Sequence, residues 1–131
     1  MIESVPTTDI TTLSQRDEIA LSQGVSNRVI YLHIDSRRVY SPFVTDNDGN
    51  QIFNPFQDVR VRQAISMAID RELLVEIGYG QAGRPTCNLV PAPAIYASDN
   101  TSCMTQDLER AAALLEEAGY MMGDDGVRVN A

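Results

Sequence analysis

The chain of 131 residues has no lysine, no tryptophan, a single histidine and two cysteines. With so few imidazole and thiol groups it lacks the ligands for a zinc cluster, and metal-dependent catalysis is largely excluded. All ten basic residues are arginine, and they face 18 acidic residues, which leaves a formal charge of -8. Such a surface does not suit the neutralisation of phosphate groups, so no nucleic-acid partner is expected.

Long apolar stretches are also missing from the sequence. No run approaches the roughly 18 to 20 apolar residues that cross a bilayer, so no membrane-spanning segment is expected. The opening MIESVPTTDITT lacks the basic and apolar parts of an export signal, and we expect no signal peptide in this chain. The length fits one modest domain. The last residues, VRVNA, have the pattern of a strand that is only beginning, which suggests an incomplete domain.

The sequence predicts helices in four places, namely one short helix after Pro6 and three that begin at Asp58, Asp70 and Asp107. Each aspartate precedes apolar residues at helical spacing and can accept hydrogen bonds from the first free backbone N–H groups. The glycines at 78–80 and Gly119 are expected to end the last two helices, because glycine adopts the left-handed conformation at little cost. The apolar stripe of the last helix consists of Leu108, Ala111, Ala112, Leu115 and Ala118.

Strand formers concentrate in residues 18–22 and 27–34. The second run is almost continuously hydrophobic, which predicts a strand buried on both faces of a sheet covered by helices. Residues 41–55 are predicted to form a loop or small hairpin that turns at Asn47, Asp48 and Gly49. Residues 81–102 contain three prolines and predict a long surface loop. The expected fold class is therefore α/β in the mixed α+β sense, with few strands and three to four helices.

Two acidic segments have a partial resemblance to cation-binding loops. Asp46, Asp48 and Asn50 alternate like the early ligands of a calcium loop, but Gly49 is misplaced and Gln57 stands where a bidentate glutamate belongs. The segment GDDG at 123–126 has only two carboxylates. A turn is the better interpretation of both segments, and neither a metal nor another cofactor is expected.

Three segments in order resemble one protein family: NPFQDVRVRQAISMAIDRELLVEIGYG, RPTCNLVPAPAIY, and DLERAAALLEEAGY followed by GDDGVRV. They are similar to the middle part of the periplasmic solute-binding proteins of peptide-type ABC importers, the dipeptide, oligopeptide and nickel receptors. The opening IESVPTTDITTL and the run RVIYLHID resemble the stretches that precede these segments in the family. Leu108 stands where the family often has proline.

The resemblance implies that residues 1–131 are a single partial domain, the middle segment of the second lobe of a larger, two-lobed binding protein. It implies a periplasmic location and a function in solute capture for ABC-transporter import. A small, peptide-like solute would bind in the cleft between the lobes and pass, chemically unchanged, to the ABC permease. Because uncovered strand edges invite pairing, self-association of this segment is a further expectation.

The candidate ligand-binding residues are His33, Asp35, Arg37, Arg38, Asn88 and Tyr96. The first four lie at the end of the predicted buried strand, where open α/β sheets place ligand-facing loops, and arginine can bind a carboxylate through two hydrogen bonds. A solvated charge cluster is the alternative interpretation. By resemblance, the loop with the last two residues lies near the cleft, so that Tyr96 faces the solute; alternatively, its prolines only stiffen a connection.

Two alternatives remain open for the cysteines, which are 16 residues apart. A periplasmic location allows Cys87 and Cys103 to form a disulfide, whereas the other interpretation is two free or buried thiols. The alternative function of another class is a small hydrolase or transferase that uses His33 with Asp35. The main interpretation assigns no catalytic residue and predicts that the protein is not an enzyme.

Overall fold

The computed structural model describes residues 3–92, 94–98 and 103–130. Its helices and strands are, in chain order, α1 (Thr7–Ser14), β1 (Tyr40–Thr45), β2 (Gln51–Phe53), α2 (Val59–Ala68), α3 (Arg71–Tyr79), α4 (Leu108–Glu117), β3 (Tyr120–Met122) and β4 (Arg128–Asn130). Two short 3₁₀ turns are formed by Pro55–Gln57 and Gly80–Ala82. The predicted mixed class with few strands is confirmed, and the helix after Pro6 is present.

The chain divides into two compact units, and each consists of two separate stretches of sequence. Unit 1 contains Met1–Tyr31 and Asp70–Cys103, and unit 2 contains Leu32–Ile69 and Met104–Ala131. In unit 1, α1 and α3 both contact the turn Gly80–Ala82. None of the unit 1 side chains that the structure describes is buried.

Unit 2 is built around the packing of α2 against α4. At one end of the pair the N–H of Asp107 donates to the carbonyl of Met67 over 3.0 Å, and at the other end the Arg60 guanidinium donates to the carbonyl of Glu117. The start of each helix therefore lies beside the end of the other, so the two helices are antiparallel. The small apolar core of this pair consists of Ala64, Ala111 and Leu114, with Met67 and Leu115 packed against it.

The predicted stripe of α4 is only partly correct. Ala111 is buried, but Leu108 is 62% exposed, and Leu114, which the stripe omits, is buried instead. Because α4 packs against a single helix, only a narrow part of its surface is covered. Leu108 lies in the first turn and outside that part.

The predicted helix ends are confirmed by hydrogen bonds and backbone angles. The three capping aspartates accept backbone N–H groups over 2.8–2.9 Å, Asp58 from Arg60, Asp70 from Leu73, and Asp107 from Arg110. Gly80, with φ of 53°, follows α3, and Gly119, with φ of 93°, follows the C-cap of α4. These local signals were sufficient because each cap involves residues within one helical turn.

Both sheets are antiparallel two-stranded hairpins in unit 2. In the first, Tyr40 pairs with Phe53, and the turn is closed by the Asp46 carboxylate, which accepts the N–H groups of Asp48 and Asn50. The predicted hairpin at 41–55 is therefore confirmed, and the Asp46 carboxylate stabilises its turn by accepting these two hydrogen bonds. The second hairpin pairs β3 with β4, so the strand predicted at the chain end is also confirmed.

The strands predicted at residues 18–22 and 27–34 are not formed, and the expectation that the second is buried on both faces is wrong. Ile30, Tyr31 and Leu32 are 72%, 61% and 69% exposed. A strand needs a neighbour for its backbone N–H and C=O groups, and the ladders of the described residues lie entirely within the two hairpins. Strand-forming side chains alone do not supply that neighbour.

The predicted loop at 81–102 is confirmed where the structure describes it, since only the turn Gly80–Ala82 interrupts irregular backbone there. Residues 93 and 99–102 of this loop lie outside the described residues. Among the helices that are described, none has the length and apolar character required to cross a membrane.

Candidate functional site

An open concavity of about 340 Å³ lies within unit 2 and is the candidate binding site. Its walls come from the extended chain before β1, from β1 itself, from the turn Pro55–Gln57 and from α2. The lining is mostly apolar and consists of Leu32, His33, Ile34, Asp35, Ser41, Phe43, Val44, Phe56 and Ile65. Two of the six residues predicted from the sequence, His33 and Asp35, therefore lie in one pocket wall.

The Asp35 carboxylate is the charged acceptor of this pocket. Its Oδ2 accepts hydrogen bonds from the Ser41 hydroxyl and from the Arg38 guanidinium, both over 2.9 Å. These bonds, first that of Ser41 and then that of Arg38, hold the pKa of Asp35 below its ordinary value. The group is therefore ionised at neutral pH, and the adjacent arginine partly compensates its charge.

Asn54 fixes the backbone that carries Asp35 and Arg38. It is fully buried, and its Nδ2 donates to the carbonyl oxygens of Asp35 over 2.7 Å and of Arg38 over 2.9 Å. Its Oδ1 accepts the N–H of Phe56, which also lines the pocket. One buried amide side chain thus joins two walls of the concavity through hydrogen bonds to the backbone of each.

Sequence reasoning missed Ser41 and Asn54, the two fully buried polar residues of the described chain. The position of Asn54 before Pro55 was an available signal, because asparagine is a preferred N-cap and proline a preferred first residue. It would have predicted the bond to Phe56. No local pattern indicates the bonds from Asn54 to backbone 16 and 19 residues away.

The six predicted ligand residues do not form one cluster within either unit. In unit 2, Arg38 joins Asp35 at the pocket, whereas Arg37 has an exposed side chain and its carbonyl accepts from Gln57 over 3.0 Å. Asn88 and Tyr96 belong to unit 1. There the Asn88 Nδ2 donates to the carbonyl of Ser98 over 2.8 Å, and Tyr96 is largely exposed.

Cys87 and Cys103 of unit 1 are joined by a disulfide in the structure. Their Cα atoms are 5.3 Å apart, which lies within the ordinary range for this bond. The bond closes a ring with a sequence separation of 16.

The pocket offers the chemistry of binding: apolar walls, one ionised carboxylate and an imidazole. Ser41 is a poor candidate for a nucleophile, since its hydroxyl is fully buried and donates to Asp35. Within the described residues, no group of three or more histidine, cysteine, aspartate or glutamate side chains is placed to hold a metal ion.

Sequence comparison places the chain in a known class of protein. Residues 1–130 match the profile of the Bacterial extracellular solute-binding proteins, family 5 Middle. The class is thus that of extracellular solute-binding proteins in bacteria. Within this class, the chain belongs to family 5.

Curated relatives are similar to about half of this chain. It is 38% identical over 69 residues to the dipeptide-binding protein of Escherichia coli, and 40% identical over 70 residues to heme-binding protein A of Haemophilus influenzae. It is 35% identical over 69 residues to the glutathione-binding protein GsiB of Salmonella typhimurium. Each match covers 53% of this chain and 13% of the relative. No solved structure matches the chain significantly.

Proposed function

We propose that this chain is part of a binding protein that captures a small solute for ABC-transporter import and does not convert it chemically. The observation that carries the proposal is the family match over residues 1–130. In this proposal residues 1–131 form one partial domain, the middle segment of the second lobe of a two-lobed protein. The solute lies between the lobes, hinge motion encloses it, and the protein delivers it to an ABC permease.

We propose a peptide-like solute. Two of the relatives named above are a dipeptide-binding and a glutathione-binding protein, and glutathione is itself a peptide. The apolar walls of the unit 2 pocket suit a peptide side chain, while His33 and Asp35 supply polar contacts. Arg37 and Arg38 offer guanidinium groups for a carboxylate. Asn88 and Tyr96 are proposed as solute contacts from unit 1.

A periplasmic location is part of the same proposal. The disulfide between Cys87 and Cys103 supports it, because such bonds persist in oxidising compartments and are rare in the reducing cytoplasm.

The geometry gives little support to a hydrolase or transferase based on His33 and Asp35. The hydrogen bonds from Ser41 and Arg38 to the Asp35 Oδ2 account for this carboxylate as part of the pocket wall without a catalytic role. The relatives described above are named as binding proteins. We therefore propose no catalytic residue.

Isothermal titration calorimetry of the two-lobed protein that contains this chain, with a set of dipeptides, glutathione and hemin, tests the proposal. We expect saturable binding of at least one peptide, weakened at least tenfold by Asp35→Asn. Asp48→Asn removes the same charge from the exposed turn between β1 and β2, and we expect it to leave the affinity unchanged.

Binding of hemin without any peptide would contradict the peptide class, and an absence of binding throughout would contradict the role of the pocket in this chain. Hydrolysis of a peptide during the titration, detected by mass spectrometry, would contradict the non-catalytic function.

Self-association is also proposed, since Leu32 and Phe43 on the pocket rim are apolar and largely exposed. Light scattering over a range of concentrations is expected to show a molar mass above that of the monomer. A strictly monomeric mass at every concentration would contradict it.

A further inference from the structure

The disulfide closes a ring in unit 1 that has its own internal hydrogen bonds. We name the described residues 88–92 and 94–98 the clipped loop. The Asn88 side chain bonds to the carbonyl of Ser98 across the base of this loop. Within it, the N–H of Ala94 donates to the carbonyl of Pro91 over 3.0 Å, and the N–H of Ala97 donates to the carbonyl of Ala94 over 2.9 Å. The loop thus has a defined shape.

Packing contributes little to that shape. No residue of the clipped loop is buried, and Ile95 and Tyr96 are 93% and 86% exposed. Ordering the backbone of one residue costs roughly 1 to 2 kcal/mol, and exposed hydrogen bonds return only part of this. Some other constraint must therefore restrict the loop.

We infer that the Cys87–Cys103 disulfide, rather than packing, holds the clipped loop in shape, so that reduction of this bond releases the segment that carries Tyr96. The argument rests on connectivity: a covalent link that closes a ring of this size restricts the open chain more than any one of the exposed hydrogen bonds of the loop does. It goes beyond solute capture and holds for the loop whether or not Tyr96 contacts a solute.

Reduction of the Cys87–Cys103 disulfide by a dithiol is balanced in electrons and protons. A dithiol transfers two electrons and two protons to the disulfide, the bond between the two sulfur atoms breaks, and Cys87 and Cys103 become thiols. The dithiol leaves as its own cyclic disulfide. Attack by a thiolate requires access to a sulfur-bearing residue, and Cys103 is exposed while Cys87 is half-buried.

Limited proteolysis with chymotrypsin measures the release, because this protease cuts after tyrosine and Tyr96 lies in the clipped loop. One sample remains oxidised. A second is reduced with dithiothreitol and alkylated with iodoacetamide, so that both thiols are blocked before the protease is added. We expect cleavage after Tyr96 to be at least tenfold faster in the second sample, as measured by mass spectrometry.

The double variant Cys87→Ser with Cys103→Ser is the matched control. It cannot form the bond, so we expect rapid cleavage whether or not it has been treated with dithiothreitol. Hydrogen exchange at the backbone of Leu114 in α4 reports unit 2, and its protection is expected to be the same in all samples.

Equal cleavage rates in oxidised and alkylated protein would overturn the inference, as would slow cleavage of the double variant. Loss of protection at Leu114 in both the alkylated protein and the variant would also overturn it, because release would then not be confined to the loop.

Discussion

Unit 2 buries Ala64, Ala111 and Leu114 between two helices, whereas none of the described side chains in unit 1 is buried. Unit 1 instead has a 3₁₀ turn that α1 and α3 both contact, the cap of α3 by Asp70, and a disulfide. The same chain thus uses two means of restricting its backbone. The comparison teaches that side-chain substitutions should cost much in unit 2 and little in unit 1, where covalent and local backbone bonds dominate.

The largest effect is expected in the core of unit 2. Leu114→Ala removes a buried side chain and should lower the free energy of unfolding by about 3 kcal/mol. Leu108→Ala is the matched control on the same helix, since Leu108 is exposed, and should change it by less than about 0.5 kcal/mol. Urea unfolding followed by circular dichroism measures both. Equal losses would show that α4 does not pack through Leu114.

A smaller loss of stability is expected when the buried side-chain amide of Asn54 is removed. Asn54→Ala leaves the carbonyls of Asp35 and Arg38 without this donor, and should cost about 2 kcal/mol in the same urea experiment. Asn50→Ala makes the same chemical change in the exposed turn after β1 and should cost less than about 1 kcal/mol. If the two variants were equally stable, Asn54 would not join the pocket walls as described.

Removal of the N-cap of α2 should lower the free energy of unfolding by a still smaller amount. Asp58→Ala eliminates the acceptor of the Arg60 N–H and should destabilise the chain by about 1 kcal/mol. Asp58→Asn retains a capping oxygen and is expected to lose clearly less. Thermal unfolding of the two variants separates the cap from the charge, because both variants lack the ion pair with Arg60 and only the asparagine variant keeps a capping oxygen. Equal losses in the two variants would assign the effect to the ion pair.

Low pH should destabilise unit 2, because Asp58 becomes protonated. Hydrogen bonds from Arg60 hold the pKa of Asp58 below its ordinary value of 3.8. Because the pKa is lower in the folded state, the contribution to stability is complete above that ordinary value and is lost as the pH falls through the depressed one. Urea midpoints measured from neutral pH downwards should fall less steeply for Asp58→Asn than for the natural chain. Parallel curves would contradict this linkage.

The smallest effect is expected in the clipped loop. Tyr96→Ala should change the free energy of unfolding by less than about 0.5 kcal/mol, because the ring is almost entirely exposed. Thermal unfolding measures it, with Ile95→Ala as the matched variant at the neighbouring exposed position. A loss above about 1 kcal/mol in either variant would show that unit 1 has a packed contact at this loop, and the contrast between the units would weaken.

The elements that could be predicted from the sequence are those that local signals determine. Asp58, Asp70 and Asp107 form their capping bonds within two or three residues, and the left-handed glycine after α4 lies directly beyond its C-cap. Such features depend on the chain immediately around them, so a single sequence is enough to locate them.

Features that depend on distant residues could not be predicted in the same way. The run at 27–34 has the side chains of a strand, but a strand forms only where a neighbouring strand pairs with its backbone. Ile30 and Leu32 of this run are exposed, and no strand is formed there. In the candidate site, His33 and Asp35 are two of the residues predicted from the sequence to bind ligand, and both line the pocket. The bonds from Ser41 and Asn54 that support Asp35 cross 6 and 19 residues, and no periodicity encodes them.

The antiparallel packing of α2 and α4 has an electrostatic consequence. The partial positive charge at the start of each helix lies beside the partial negative charge at the end of the other, so the two dipoles largely cancel at a distance. Arg60, bonded both to Asp58 and to the carbonyl of Glu117, reinforces this balance at one end. A charged molecule approaching unit 2 from solvent would therefore experience mainly the field of its acidic and arginine side chains.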